Sequence, residues 1–241
     1  MKGSKLWILL IPVLILAGLR VRGQTGDRQT IVQFLPTASA ATTVPASTVP
    51  PALELPYVIG EAGLIVERMV CYEGDFWEDG NDMPAVDAMA LVVYNPGTSG
   101  IRRAQIVAMQ GNRQLCFEIT FLPPGSRVLV LERFRKPYSR EPLTRCRCET
   151  VEKMAWEEPA SVRVTPVGAC RLLVENTGSD LQAVTIRYKR YDRESEMFLG
   201  GITYQLTLEP LLSGGQMEVS PQRYTESGSR IVLVETQTNE E

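Results

Sequence analysis

The residues of this 241-residue sequence best able to do chemistry are its five cysteines and one dense run of carboxylates, because the chain contains no histidine. The absence of histidine removes the Ser-His-Asp and Cys-His nucleophile systems, proton transfer by imidazole near neutral pH, and every zinc site that needs a histidine ligand. The sequence also has neither a phosphate-binding glycine loop nor a G-x-S-x-G nucleophile elbow. We therefore expect a protein that is not an enzyme, in which the cysteines and carboxylates are candidate disulfide and metal-binding residues.

Two cysteines are separated by a single residue, in Cys146-Arg147-Cys148. On a β-strand this spacing places both thiols on one face. There they could bind a soft metal ion, form a redox pair or, as we favour, serve as small core side chains or one end of a structural bridge. In an exported protein the candidate disulfides run from Cys71 or Cys116 to Cys146 or Cys148, and the odd total leaves at least one thiol unpaired or shared between chains.

The carboxylates cluster in the segment EGDFWEDGND, residues 73–82. Ca²⁺ binds six to eight oxygen ligands, which a loop of this composition could supply, although the spacing does not match an EF-hand. A solvated connection between two strands is the favoured alternative. The aromatic pair Phe76 and Trp77 would either cap the end of the fold or form an exposed contact. The candidate calcium ligands are Asp75, Glu78, Asp79 and Asp82.

A net charge of −3 and an isoelectric point near 5.3 argue against nucleic acid as a partner, since binders of the phosphate backbone usually carry a basic surface. Two basic segments interleave with aromatic residues. Residues 133–140 read RFRKPYSR and could meet an anionic surface such as cell-wall polymer or lipid head groups, although a polar loop leaving a strand is the simpler interpretation. Residues 187–193, which include Lys189, resemble the solvated face of a strand.

The N-terminal residues 1–24 have the composition of a targeting segment. Lys2 and Lys5 precede the uncharged run Leu6–Leu19 of 14 residues, which as a helix would span about 21 Å, less than the hydrocarbon core of a membrane. This length is typical of a signal peptide, but the arginines that follow are also compatible with a retained anchor. A disordered linker rich in Pro, Ala and Thr is predicted for residues 25–56. We expect an extracytoplasmic protein held at the cell membrane, or secreted if the segment is cleaved.

From residue 57 onward the sequence repeats itself. LVVYNPG at residues 91–97 matches LLVENTG at 172–178, and FEITFLPPG at 117–125 matches YQLTLEP at 204–210. Short apolar runs separated by Gly, Pro and Asn predict an all-β fold. Asn-x-Gly ends a strand because both residues tolerate left-handed backbone. We expect two β-sandwich domains, residues 57–155 and 156–241, with one insertion around residues 192–201 of the second, arising either from duplication or from convergence.

These phrases resemble the immunoglobulin-like modules of the CARDB-like kind found in bacterial extracytoplasmic proteins. The resemblance covers residues 88–134 and 169–220 and includes no diagnostic motif; the Cys…Trp…Cys spacing of antibody domains is absent. It implies two tandem immunoglobulin-like β-sandwich domains used as spacers, adhesins or assembly parts.

The expected function is therefore that of a non-enzymatic, membrane-associated extracytoplasmic protein that displays interaction modules in adhesion, cell-envelope assembly or scaffolding. Its expected partners are other cell-envelope proteins or cell-wall polymer. Two alternatives stay open: a Ca²⁺- or ligand-binding sensor module, and a carboxylate-based cell-wall hydrolase, which would need two facing carboxylates in a cleft.

Overall fold

A computed structural model describes residues 51–75, 84–157 and 161–238, and the regular elements in these ranges are all strands. The prediction of an all-β fold is confirmed. The predicted targeting segment and the linker up to residue 50 lie outside the described residues, and no helix within the described ranges is long and apolar enough to span a membrane. The strands are β1 (Tyr57–Ile59), β2 (Leu64–Asp75), β3 (Pro84–Tyr94), β4 (Gly100–Gln110), β5 (Arg113–Leu122), β6 (Arg127–Leu131), β7 (Arg145–Met154), β8 (Val162–Gly168), β9 (Arg171–Asn176), β10 (Leu181–Asp192), β11 (Met197–Leu208), β12 (Gln216–Val219) and β13 (Ser229–Thr238).

These strands form three sheets. The largest has seven strands in the order β1-β2-β3-β6-β11-β10-β13, and the other two have three strands each, in the orders β5-β4-β7 and β12-β9-β8. The strands carry the alternation expected of sheets that pack face to face. In β9, for example, Leu172 and Val174 are buried while Arg171 is exposed.

Two main hydrophobic cores lie between the layers. The first is filled from both sheets of the N-terminal half, for example by Leu91 and Val93 of β3 and by Phe117 and Ile119 of β5, all fully buried. The second is filled by β9, β10 and β11 and contains Tyr188. Full burial of one such side chain contributes about 1.5–3 kcal/mol before the loss of conformational entropy is counted.

The two halves have the same strand order. In the first half β2-β3-β6 faces β5-β4-β7, and in the second half β8-β9-β12 faces β11-β10-β13. The pairing register agrees as well, since Val93 lies opposite Val128 and Val174 opposite Met217. The repeated phrases thus occupy equivalent positions, and the predicted boundary at residues 155/156 falls between β7 and β8.

The repeated phrases match Phe117 of β5 with Tyr204 of β11, but in the structure the equivalent of Phe117 lies two residues further along β11. Ile106 pairs with Phe117, and its counterpart Ile186 pairs with Leu206 rather than with Tyr204. A shift of two residues leaves every side chain on the same face, so the apolar pattern alone could not detect it.

The predicted insertion in the second half lengthens the β10–β11 hairpin and joins the two halves. The beginning of β11 pairs in parallel with β6, with Phe198 opposite Val128 and Leu199 opposite Leu129. Phe198 also lies in the core of the first half. The insertion therefore extends one sheet through both halves.

Candidate functional site

The repeated Asn-x-Gly phrase forms a buried clamp in the first half. Asn95 is 3% exposed, and its Nδ2 donates hydrogen bonds to the carbonyl oxygens of Ser99 at 3.0 Å and Pro123 at 3.1 Å. Its Oδ1 accepts a hydrogen bond from the backbone N–H of Gly97 at 3.2 Å. The side chain thereby ties the end of β3 to the end of β5, across the two layers.

The second half contains the same clamp. Asn176 is 1% exposed, its Nδ2 donates to the carbonyl oxygens of Ser179 at 2.7 Å and Leu211 at 2.9 Å, and its Oδ1 accepts from the N–H of Gly178 at 2.9 Å. An amide that supplies two donors and an acceptor to buried backbone groups is a structural device. The repeated phrase is therefore explained by folding and marks no reactive site.

Lys189 lies at the junction between the halves, and its environment corrects the sequence interpretation of this segment as a solvated face. The residue is fully buried. Its ammonium group donates to the carbonyl oxygens of Gly201 at 2.7 Å, Ile202 at 2.7 Å and Thr120 at 3.1 Å. A buried charge needs such compensation, and because Thr120 belongs to β5, the lysine binds the second half to the first. The sequence pattern gave no signal of this role, since a lysine among arginines and tyrosines usually faces water.

The candidate disulfide residues are all free thiols in this structure. Cys146 and Cys148 lie in the first core, as the favoured interpretation of their spacing predicts. Burial raises the pKa of Cys146 to about 12 and that of Cys148 to about 11, so both are protonated and poorly nucleophilic near neutral pH.

The sheet register separates the cysteines by face. Ile106 lies opposite both Phe117 and Cys148, which face the core, whereas Val107 lies opposite Cys116. Cys116 therefore points away from the core that contains Cys146 and Cys148. Cys71 lies opposite the core residue Met89 but is exposed, and a bridge from either cysteine stays a prediction.

Of the candidate calcium ligands, only Asp75 lies within the described residues; Glu78, Asp79 and Asp82 lie outside them. Asp75 ends β2, and its carboxylate lies 3.7 Å from the guanidinium group of Arg190. Among the residues that the structure describes, no group of three or more Cys, Asp or Glu side chains is arranged to hold a metal ion. Calcium binding by residues 73–82 stays a prediction.

The basic, aromatic segment after β6, defined here by residues 132–138 and called the β6 loop, is organised around one buried carboxylate. Glu132 is 0% exposed, and its oxygens accept hydrogen bonds from the backbone N–H groups of Cys116 at 3.1 Å, Phe134 at 2.9 Å and Lys136 at 2.9 Å. Phe134, by contrast, is 64% exposed. The sequence identified the basic and aromatic residues of this loop but not the glutamate that orders them.

A polar groove of about 650 Å³ lies where the two halves join, beside the start of β6. Arg127 donates to both oxygens of Glu67 at 3.0 Å, and its guanidinium group lies 4.5 Å from the centre of the Tyr94 ring. On the other side Arg230 lies 5.2 Å from the centre of the Tyr191 ring. Arginine and tyrosine are enriched where proteins contact partners, so this junction groove is a candidate binding surface.

Comparison of the chain with protein-family models, with curated proteins and with solved structures found no match.

Proposed function

We propose that this chain is a non-enzymatic, membrane-associated extracytoplasmic protein whose halves are two tandem immunoglobulin-like β-sandwich modules that present interaction surfaces. The proposal rests on the strand order that the two halves share. Each half is closed by the same asparagine clamp, and the halves are joined by the pairing of β6 with β11. Such a framework holds surface residues in fixed positions, as a binding surface needs.

The junction groove is the surface on which we expect a partner to bind. It is lined by arginines, glutamates and a tyrosine from both halves, so a partner that fills it would contact both modules at once. Cell-envelope proteins and anionic cell-wall polymer fit this chemistry. The N-terminal sequence, with its uncharged run and its linker, supports a position at the membrane.

Fractionation of cells that produce the full-length chain tests the location. We expect the protein in the membrane fraction, with its folded part cleaved by protease added to intact cells. Replacing Leu10 and Leu14 with arginine places two charges in the apolar run, at about 3 kcal/mol each in a membrane, and should leave the protein in the cytosol, whereas Leu14→Ile should not. Recovery of the unmodified chain from the cytosol would contradict the proposal.

Crosslinking in intact cells tests the interaction surface. We expect the double variant R68E/R230E, which reverses two charges of the junction groove, to lose the crosslinked species formed by the wild-type chain. The double variant R102E/R163E changes two exposed arginines elsewhere and serves as the control. Unchanged crosslinking by R68E/R230E would show that partners bind another surface.

A further inference from the structure

The β6 loop holds an apolar side chain in water by means of a buried charge. Burial of a carboxylate is costly unless its oxygens are fully hydrogen-bonded, and Glu132 meets this condition with three backbone N–H donors. Arg135 in the same loop adopts a left-handed backbone with φ of 55°, which costs energy in a residue other than glycine. The result is an ordered loop that presents Phe134 to solvent.

Basic residues flank this exposed ring in the sequence. Arg133, Arg135 and Lys136 are its neighbours in sequence, and the Lys136 ammonium lies 6.0 Å from the ring centre. Two carboxylates lie near the loop: that of Glu132 is buried and bonded to backbone N–H groups, and that of Glu118 pairs with Arg133 at 3.1 Å and with Arg103 at 2.7 Å. An aromatic ring with a rim of basic groups is the chemistry of proteins that rest on anionic lipid, where the ring enters the head-group region and the cations stay at the surface.

The chain enters the folded part at the same end of the first half. The N–H of Leu53 donates to the carbonyl oxygen of Leu143 at 2.6 Å, and the N–H of Thr144 donates to that of Met109, at the end of β4. The β6 loop lies at this end too, since Arg113, at the start of β5, donates to the carbonyl oxygen of Pro137. Within the described residues, the start of the chain and the β6 loop therefore lie at the same end of the first half.

We propose that the β6 loop is a second membrane contact, in which Phe134 enters the head-group region of a bilayer while Arg133, Arg135 and Lys136 bind anionic lipid head groups. This inference rests on the proposed membrane association and adds to it. The N-terminal segment brings the chain to the bilayer, and the β6 loop then fixes the orientation of the first half.

The full-length variant F134W tests the contact directly, because tryptophan keeps an aromatic side chain suited to the interface. Vesicles of phosphatidylcholine with brominated acyl chains, with and without one third phosphatidylserine, quench the fluorescence of tryptophans that enter them. The wild-type protein and F134W share Trp7, Trp77 and Trp156. The difference in quenching between the two proteins therefore reports on position 134 alone. We expect added quenching on the anionic vesicles and little on the neutral ones.

Charge variants supply the second measurement. In the F134W background, R133Q/K136Q removes two cations of the loop, while R102Q/R163Q removes two exposed arginines elsewhere. We expect the ratio of docked to undocked loop to fall roughly fivefold for each loop cation removed, and to stay within about twofold in the control. Native melting curves for both variants would show that the fold is intact.

The outcomes separate this inference from the proposed function. Failure of both chains to bind either vesicle would overturn the membrane association and with it the contact. Quenching of the tryptophans shared by both chains, without added quenching from F134W, would leave the association intact and overturn the loop contact. Equal added quenching on neutral and anionic vesicles would overturn the role of anionic lipid. Binding of polyglutamate by the loop without vesicle quenching would identify an acidic protein as the partner and also overturn the proposal.

Discussion

Asn95 and Asn176 show at the scale of single residues why a short phrase is repeated in this sequence. Each amide bonds backbone groups of its own turn and of the segment that follows a strand of the facing layer. Aspartate would lack the donors, and serine has one rotatable hydroxyl in place of two N–H groups. Neither asparagine, nor the glycine two residues after it, has a positive φ, so the hydrogen-bonding inventory explains the position and the left-handed backbone expected from the sequence does not.

We expect N95A and N176A each to lower the free energy of unfolding by about 2–4 kcal/mol, because buried carbonyls lose their donors. Denaturant unfolding followed by circular dichroism measures the change. Asn112 is exposed in the β4–β5 turn, so N112A should change stability by less than about 0.5 kcal/mol. Equal effects of all three substitutions would argue against the clamp.

The cysteines predict an order of reactivity. Burial raises the pKa of Cys146 and Cys148 to about 12 and about 11, so iodoacetamide at pH 8 should label exposed Cys170 quickly and these two only after unfolding. Peptide mass spectrometry gives the order of labelling. Rapid alkylation of Cys146 in the folded chain would contradict the burial that the structure shows.

The same two thiols predict how stability depends on pH. Their folded pKa values lie above the ordinary value of 9.0, so the unfolded chain loses these protons first as the pH rises. Stability is then present in full below pH 9 and falls as the pH rises towards 11. Urea unfolding of wild type and C146A/C148A across this range should show a steeper loss in the wild type.

At the scale of elements, the lengthened β10–β11 hairpin determines how the halves meet. It carries β11 past the second core to pair with β6, and it brings the backbone of Gly201 against β5. A Cβ atom at Gly201 would lie 1.7 Å from the carbonyl oxygen of Glu118, a distance that no packing adjustment of side chains can relieve. The close approach of two backbones is the reason for glycine at this position.

We therefore expect G201A to destabilise the chain by several kcal/mol, on the order of the largest values seen for point substitutions. A Cβ atom at Gly60 would have no heavy atom within 4 Å beyond its own chain neighbours, so G60A provides a matched control whose effect should stay within about 1 kcal/mol. Thermal melts of both variants make the comparison. Similar melting temperatures would mean that β11 and β5 are not in close contact.

At the scale of the whole molecule, the continuous sheet couples the two halves. Phe198 and Val232 belong to the second half by sequence but lie in the core of the first. Lys189 adds hydrogen bonds across the same junction. The core of the first half is therefore completed by the second half, so we expect one cooperative unfolding transition rather than two.

Phe198→Ala tests this coupling. Loss of a buried phenylalanine costs about 3–5 kcal/mol, and if the halves unfold together, probes in both should report the same lowered midpoint. The exposed residue Leu212 in the second half supplies the control L212A, with an expected change below about 0.5 kcal/mol. Calorimetry that resolves two separate transitions in the wild-type chain would contradict coupled unfolding.

The candidate surfaces were only partly predictable from sequence. Arg133, Phe134 and Lys136 stand out in the sequence because aromatic residues and arginine are enriched at contact surfaces, although a polar loop is the simpler interpretation of the same residues. Glu132 and Lys189, which organise the β6 loop and the junction, read as ordinary surface charges, because the sequence does not show which charged side chain folding will bury. The junction groove could not be predicted either, since its residues come from strands far apart in the chain.

The sequence by itself determined the all-β class, the position of the repeat and the insertion, because alternation, turn residues and spacing are local properties written along the chain. Only the tertiary structure decided that β6 and β11 pair in parallel, that Lys189 is buried between the halves, and that Cys116 and Cys148 face opposite sides of a sheet. Those outcomes depend on contacts between distant segments, and a pattern with a period of two residues is satisfied equally by several registers and several neighbours.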